Sequence, residues 1–338
     1  MTGYVLSKAQ WKVTLDGRDL TELLDPLLIS LSITEKRSEA ADQLDLVLND
    51  AAGTLEIPPD GARLHVSMGW ARGSGLPIGL IDKGEFKVDE ANFGGPPDVI
   101  TIRARSADFT DAFRVRRERG FVGRSVKDVL GAIAADNGLS ISVDGALGSK
   151  TIPALGSGAK SDGALLTALG KRFDAVATIK AGTLIFAPIG SGKTASGKPL
   201  PAIAIARRET GKVEYARVAR AKYDGVEAVW HNKAGAARQT VQHGHKGEGR
   251  AKRIRKVYAS EADAKQAAEA EETRMSRRVA TMKVPLSYGR PEIYPETPVT
   301  LSGFKPEINA RTWLVESATH TMDGRGGLST DLDLEAQR

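Results

Sequence analysis

The stretch GEFKVDEANFGGPPDVITIRAR, residues 84–105, decides the fold, because it has the pattern of two strands around a glycine- and proline-rich turn. Apolar and polar side chains alternate on both sides of this turn, as they do in a strand that buries one face. A second stretch, RTWLVESATHTMDGRGGLSTDLDLE, residues 311–335, has the same arrangement. The two stretches predict a repeated antiparallel hairpin.

Two further pairs of segments extend the repeat. LDLVL at residues 44–48 is similar to MKVPL at 282–286, and PPDGARLHVSMGW at 58–70 is similar to YPETPVTLSGF at 294–304. Aligned in this way, the apolar positions correspond as Phe86 with Trp313, Val88 with Val315, Ile100 with Leu332, and Ile102 with Leu334. The alternative is that antiparallel meanders share such patterns without a duplication.

These patterns predict a mainly β fold with α/β insertions, in which two similar antiparallel β-barrel, tube-like domains flank a smaller α/β domain. The first barrel is expected over residues 1–110, where Gly/Pro loops separate short strands and Asp16-Gly17 marks a hairpin turn. The α/β domain is expected over residues 111–205, and the second barrel over residues 206–338.

Three helices are predicted. Ser125 caps the first, with Asp128 at the spacing of a capping box, and the second starts at Ser161 or Asp162. The loop PALGSGAK is expected to join these two. A long helix near residues 260–278 should follow the Ser260 cap and should be peripheral, because its alanines, glutamates and arginines cover only a shallow apolar strip. Before it, YDGVEAVWHN and ARQTVQHG are expected to pair as strands.

Composition narrows the function classes. The 338 residues carry 48 basic and 42 acidic side chains and no cysteine, which excludes disulfides and thiolate metal sites and fits folding in a reducing cytoplasm. No apolar run approaches the ~18 residues of a membrane span, so no membrane segment is expected. Two basic clusters, at residues 114–120 and 252–256, could bind phosphate, or they could form a solvated face or a rim that pairs with an acidic partner. No aromatic residues alternate with them, so no specific nucleic-acid binding is expected.

The segment APIGSGKT, residues 187–194, resembles a phosphate-binding loop. Ala187 stands where the first glycine of that motif belongs, and glycine and prolines follow where a helix should begin. We therefore expect the flexible turn of a β-hairpin between ATIKAGTLIFAP and LPAIAIAR, and no nucleotide cofactor.

Other polar residues offer little chemistry. His243 and His245 could bind a metal as a pair, but no third ligand is evident, and a solvated loop is the simpler interpretation. Three more histidines, His65, His231 and His320, fall in strand patterns and are interpreted as packing or rim residues. Asp331, Asp333 and Glu335 are expected on the polar face of a strand. No catalytic, cofactor-binding or metal-binding residue is assigned.

The sequence resembles the late control protein D family, the baseplate hub proteins of contractile phage tails and tailocins. The resemblance spans nearly the whole chain, and among the stretches that carry it are LLISLSITEKRSEAADQLDLVLNDAAGTLEIPP, GEFKVDEANFGGPPDVITIRARSADF, VYASEADAKQAAEAE and GRPEIYPETPVTLSGFKPEI. It implies a structural protein that is not an enzyme, a homotrimer that joins the tail tube protein to the central spike protein and contacts other baseplate proteins.

If each of three chains carries two copies of one barrel, six similar barrels can close a ring of approximate six-fold symmetry. The protein would then be a component of a virion or tailocin particle, made in the bacterial cytoplasm. The alternatives are the hub of a type VI secretion spike, which shares the two-barrel plan, and an enzyme that hydrolyses nucleotides or the cell wall.

Overall fold

A computed structural model describes residues 6–37, 41–106, 111–156, 158, 160–180, 182–193, 198–217, 223–232, 235, 237–244, 250–277 and 279–337. Strands dominate it.

The described residues of the first part of the chain form the strands and the short α-helix β1 Lys8–Leu15, β2 Arg18–Asp19, α1 Thr21–Leu24, β3 Leu28–Lys36, β4 Gln43–Asn49, β5 Arg63–Arg72, β6 Gly79–Gly94 and β7 Val99–Ser106. The predicted turn at Asp16-Gly17 joins β1 to β2, and both residues have left-handed backbone angles. Alternation decides which side chains are buried: Leu44, Leu46 and Leu48 of β4 all face the core.

In the middle of the chain, the described residues pack helices on short strands: β8 Arg116–Arg117, β9 Gly120–Ser125, α2 Val126–Asp136, β10 Ser140–Val143, α3 Gly145–Gly148, β11 Thr151–Gly156, β12 Lys160–Ser161, α4 Asp162–Phe173, β13 Ala175–Lys180 and β14 Thr183–Pro188. The predicted capping box is present, since the Ser125 hydroxyl accepts from the Asp128 amide at 3.1 Å. The loop expected between the helices is wrong at its start, because β11 pairs antiparallel with β9.

The last part contains β15 Ile203–Ala206, β16 Glu214–Arg217, β17 Tyr223–Asn232, β18 Ala237–His243, β19 Arg250–Tyr258, α5 Glu261–Arg277, β20 Ala280–Leu286, β21 Pro298–Ser302, α6 Pro306–Asn309, β22 Thr312–Asp323 and β23 Leu328–Ala336. As expected, β17 and β18 pair antiparallel, and α5 starts after Ser260, whose hydroxyl accepts from the Asp263 amide at 3.2 Å. Arg278, at the predicted end of this helix, lies outside the described residues.

Among the described residues, one sheet of 13 strands runs through both β-rich parts. Its main path is β16-β20-β23-β22-β3-β4-β7-β6-β5-β1-β2, while β21 pairs with β22 and β15 pairs with β21. Because β22 pairs with β3, the two halves share a sheet, and the path of described strands has two ends. The two closed barrels expected from the sequence are therefore not confirmed, whereas the mainly β fold is.

The two halves of the sheet repeat one connectivity. The first half has the order β3-β4-β7-β6-β5-β1, and the second has β16-β20-β23-β22-β21-β15. A β-bulge lies at the same place in both hairpins, after Val88 in β6 and after Val315 in β22. The halves differ at the last strand, since β1 is antiparallel to β5 but β15 is parallel to β21.

The turn before β5 and β21 is repeated bond for bond. The Gly61 amide donates to the Val88 carbonyl at 3.0 Å, and the Glu296 amide donates to the Val315 carbonyl at 2.9 Å. Both turn residues have a positive φ, +82° and +71°, although only the first is a glycine. A non-glycine residue rarely adopts this conformation, so its use at Glu296 indicates that the shared turn dictates the backbone there.

The buried apolar residues in the described part of the chain form four clusters. One fills the first half of the sheet and also takes Met322 and Leu328 from the hairpin of β22 and β23. A second lies in the middle part, a third behind the second half of the sheet, and a small fourth between α5 and β17. Ile203 and Ile205 belong to the third cluster. The domain boundaries at 110 and 205 stay predictions.

Candidate functional site

The junction between the two halves of the sheet combines strand pairing with buried polar contacts. There β22 pairs antiparallel with β3 from Ser317 opposite Lys36 to Asp323 opposite Ser30. On one face of this junction small hydroxyl side chains meet, with Thr34 and Thr319 at 3.2 Å. The other face is turned to the core.

A buried polar network lies on that core face. Lys83 Nζ of β6 donates to Glu35 Oε2 of β3 at 2.7 Å, and His320 Nε2 of β22 lies 3.2 Å from the same oxygen. The other imidazole nitrogen is 2.8 Å from the Thr330 hydroxyl. The Lys83 side chain is fully buried and lies over the Tyr294 ring, 4.2 Å from its centre. Since an unpaired buried charge is costly, each group depends on the others.

The network also shifts the pKa values of Glu35 and His320. Burial, the largest influence, would raise the pKa of Glu35, but the hydrogen bond from His320 and the charge of Lys83 outweigh it and lower the pKa to about 2. Burial lowers the pKa of His320, against the hydrogen bond to Glu35. At neutral pH the junction thus contains a carboxylate with Lys83 as its counter-ion and a neutral imidazole that donates through Nε2.

A second buried cluster ties the junction to the rest of the chain. Arg37, directly after β3, forms ion pairs with Glu296 and with Glu335. Glu335 also lies 3.2 Å from the guanidinium of Arg277 in α5, which in turn donates to Asp174 after α4 at 2.6 Å. Glu335 lies, as expected, on the polar strand face that also carries Asp331 and Asp333. It is only 3% exposed, because its register position faces this cluster.

The loop that resembles a phosphate-binding motif is occupied by this chain's own carboxylate. The Gly190 amide donates to Glu296 Oε2 at 2.7 Å, and the Gly192 carbonyl accepts from the Leu200 amide. The expected hairpin is also wrong. The strand that follows, β15, pairs with β21 rather than with β14, because its apolar residues complete the second half of the sheet. Thr194 lies outside the described residues.

Some residues of each basic cluster form ion pairs. Arg119 binds Asp162 through two hydrogen bonds, of 2.8 and 3.0 Å, and Asp136 through a third. Lys252 pairs with Glu271 of α5 at 2.5 Å. These contacts hold helices in place and favour the structural interpretation of both clusters.

The candidate histidines do not come together. His243 ends β18 in a separate sheet, whereas His65 on β5 pairs with Asp82 at 2.9 Å, and His320 is buried. His231 is exposed on β17, and His245 lies outside the described residues. Within the described ranges, no group of three or more metal-ligating side chains forms a site.

Comparisons with known proteins agree with this architecture. A family model described as the phage tail baseplate hub (GPD) matches residues 23–325. The chain belongs to this family. The probable baseplate hub protein of Escherichia phage P2 is 36% identical over 97% of this chain and 93% of its own length. The resemblance to the late control protein D family is confirmed, and the chain is a phage tail baseplate hub protein by family.

Two solved structures share the fold. The 43 kDa tail protein of prophage MuSo2 from Shewanella oneidensis superposes with a TM-score of 0.67 at 14% identity, over 96% of this chain and 98% of that one. The E. coli c3393 protein, a component of the type VI secretion system, superposes with a TM-score of 0.58 at 8% identity, over 99% of this chain and 75% of that one. None of the helices in the described part of this hub protein is long and apolar enough to cross a membrane.

The junction network was missed in the sequence, although a signal was present. The period of two that places Leu31 and Ile33 of β3 in the core also places Glu35 there. His320 likewise alternates with Ala318 and Met322. A charged or polar residue at a core position of an amphipathic strand indicates a buried partner.

Proposed function

We propose that this hub protein joins the tail tube to the central spike as a homotrimer of approximate six-fold symmetry, and that it works by assembly without catalysing a reaction. The observation that carries the proposal is the repeat of one strand order in both halves of a single open sheet. Three chains of two similar halves supply six units, which can close a ring whose units are related by rotations of roughly 60°.

Such a ring resolves a mismatch of symmetry. Six similar units can dock on a six-fold tube protein at one end, while the differences between the two halves leave a true three-fold surface for a spike at the other. The six units would surround a central passage. The middle part and α5 would lie on the outside.

The proposal that the protein catalyses no reaction is supported by the partners of its buried polar side chains, which lie within the chain itself. Glu35 forms hydrogen bonds with Lys83 and His320 inside the core. The carboxylate of Glu296 accepts the hydrogen bond of the Gly190 amide. The relatives are named as hub proteins. We therefore assign the protein to the baseplate of a virion or a tailocin particle, synthesised in the bacterial cytoplasm, with tube, spike and other baseplate proteins as partners.

Copy number and position in purified tails test this proposal. Quantitative mass spectrometry should give three copies of the chain for each particle, and gold-labelled antibody should bind at one end of the tube. Six or more copies, or label along the whole tube, would contradict it.

The structural likeness to the E. coli type VI component supports one alternative, the hub of a secretion spike. Affinity purification of a tagged chain from its native host distinguishes the two. Recovery with tube and sheath proteins of a released tail particle supports the phage hub, whereas recovery with a cell-anchored secretion spike supports the alternative.

A further inference from the structure

Several strand edges of the sheet have no partner among the described residues, and two of them, on β6 and β16, correspond to edges that are paired elsewhere in the chain. On one side of β6, the partners are β5 and the turn at Gly61, and they extend only as far as Val88. Beyond that point, residues 90–94 pair with β7 on the other side and have no described partner on this one. Strand β16, at the end of the sheet, pairs only with β20. Exposed edges invite pairing with another chain.

The equivalent edges of the other half are both covered, and they cover each other. Strand β22 corresponds to β6, and its outer side is covered by β21 and the turn at Glu296 only as far as Val315. From Ser317 onwards β3 of the first half takes over. Strand β3 corresponds to β16, since each is the outer neighbour of the matching strands β4 and β20. The junction inside the chain is therefore a template for a second junction.

The bulges fix the register of that second junction. Val88 corresponds to Val315, which makes Phe93 the counterpart of His320 and Ala91 the counterpart of Ala318. The register of β16 relative to β3 follows from their neighbours β20 and β4. Leu44 of β4 pairs with Ile33 of β3, and its counterpart Met282 of β20 pairs with Tyr215 of β16. Tyr215 is thus the counterpart of Ile33, the residue opposite His320.

We propose that residues 90–94 of one subunit pair antiparallel with Glu214–Arg217 of a second copy of this chain, with Phe93 opposite Tyr215, Asn92 opposite Ala216 and Ala91 opposite Arg217. This register rests on the proposed homotrimer and defines its subunit contact. Each chain offers one edge of each kind, so the contact is head-to-tail and can close a ring.

Exposure of the side chains agrees with this pairing. His320 is fully buried at the internal junction, but its counterpart Phe93 is 55% exposed in the single chain. Tyr215 is half-buried, with its ring edge on to Trp313 at 6.2 Å. Pairing of the strands would place the two aromatic rings side by side on the core face, an arrangement that favours cross-strand association. Gly94 would face Glu214, so no side chain opposes that carboxylate.

The internal and the proposed junctions differ in chemistry. At Glu35, His320 and Thr330 the internal junction has a polar network, whereas the corresponding positions at the subunit contact are Arg217, Phe93 and Ile100. Because of this difference, an edge strand of the internal junction cannot replace its counterpart at the subunit contact without burying an unmatched charge. A second copy of this chain is therefore a better fit than a self-paired β6 edge.

Disulfide trapping tests the register, because the natural chain has no cysteine. Phe93→Cys combined with Tyr215→Cys should give covalent dimers and trimers on a non-reducing gel when tail particles are oxidised. The control pair, Phe93→Cys with Glu214→Cys, places the thiols on opposite faces of the strands and should give at least tenfold less product. Either single variant should give none.

The outcomes separate this register from the proposed function. A trimer in the particle with no cross-link in the first pair, or with equal cross-linking in the control, overturns the register and leaves the hub proposal standing. A strong, pair-specific cross-link in a ring of a different number of chains supports the register and overturns the trimer.

A charge substitution gives a second readout that does not depend on cysteine geometry. Phe93→Glu should remove the chain from particles while leaving the melting temperature of the isolated protein within about 2 °C of wild type. Val122→Glu, at another exposed apolar residue on the middle part, should assemble normally. Normal assembly of Phe93→Glu would overturn the proposed contact.

Discussion

Replacing Lys83 by methionine isolates the energetic role of the junction network. The change removes a fully buried ammonium that lies 2.7 Å from Glu35 Oε2 and 4.2 Å from the centre of the Tyr294 ring. Removal of one partner from a buried ion pair typically costs about 3 to 5 kcal/mol, because the remaining charge is buried without compensation. We expect Lys83→Met to lower the free energy of unfolding by about that amount at pH 7.

The double variant Lys83→Met with Glu35→Gln is the matched control. It removes both charges and keeps a side chain that can bond to His320, so it should recover at least half of the loss. Lowering the pH should also reduce the deficit of the single variant, since Glu35 without its counter-ion takes up a proton more readily. Urea unfolding followed by circular dichroism measures all three differences.

Two results would refute this reasoning. A loss below about 1 kcal/mol in the single variant would mean that the buried charge is not held by Lys83. A double variant as unstable as the single one would mean that packing of the lysine chain, rather than charge, stabilises the junction.

Three further predictions concern other residues. Trp313→Ala should cost about 3 to 5 kcal/mol in urea unfolding, because Trp313 is fully buried and donates to the Ile308 carbonyl; a change below 1 kcal/mol would contradict it. Burial depresses the pKa of His320, so its contribution to stability is complete above pH 6.5 and is lost as the pH falls below that value. His320→Gln should flatten the stability profile between pH 6.5 and 5, and an unchanged slope would count against the neutral imidazole. Lys193→Ala should change unfolding by no more than about 0.5 kcal/mol and leave particle formation intact, since Lys193 is exposed; loss of particles with the fold intact would reopen the nucleotide site.

The local patterns of the sequence predicted much of the fold. Alternation and turn residues located the strands, and the alignment of residues 44–48 with 282–286 matches the strand pairing residue by residue. The alignment of the next strand was wrong by two residues, because Ile102, not Ile100, corresponds to Leu332. The hairpin of the second half is longer, since Thr330 follows His320 by ten positions, whereas Ile100 follows its partner Phe93 by seven.

The junction between the halves could not be predicted in the same way. Its two strands are about 285 residues apart, and hydrogen bonds between backbone groups carry no local sequence signal. Period two could identify Glu35 as a core residue, but it could not name Lys83 or His320 as partners. The open edge of β6 can be recognised only when it is known that β3 covers the equivalent edge of β22.

A reconstruction of the intact tail at side-chain resolution tests the central claim most directly. We expect three copies of this chain at the end of the tube, their six sheet halves related by rotations of roughly 60° about the tail axis. Phe93 of each copy should lie opposite Tyr215 of the next. Two or six copies, or sheet halves that no such rotation relates, would contradict the account.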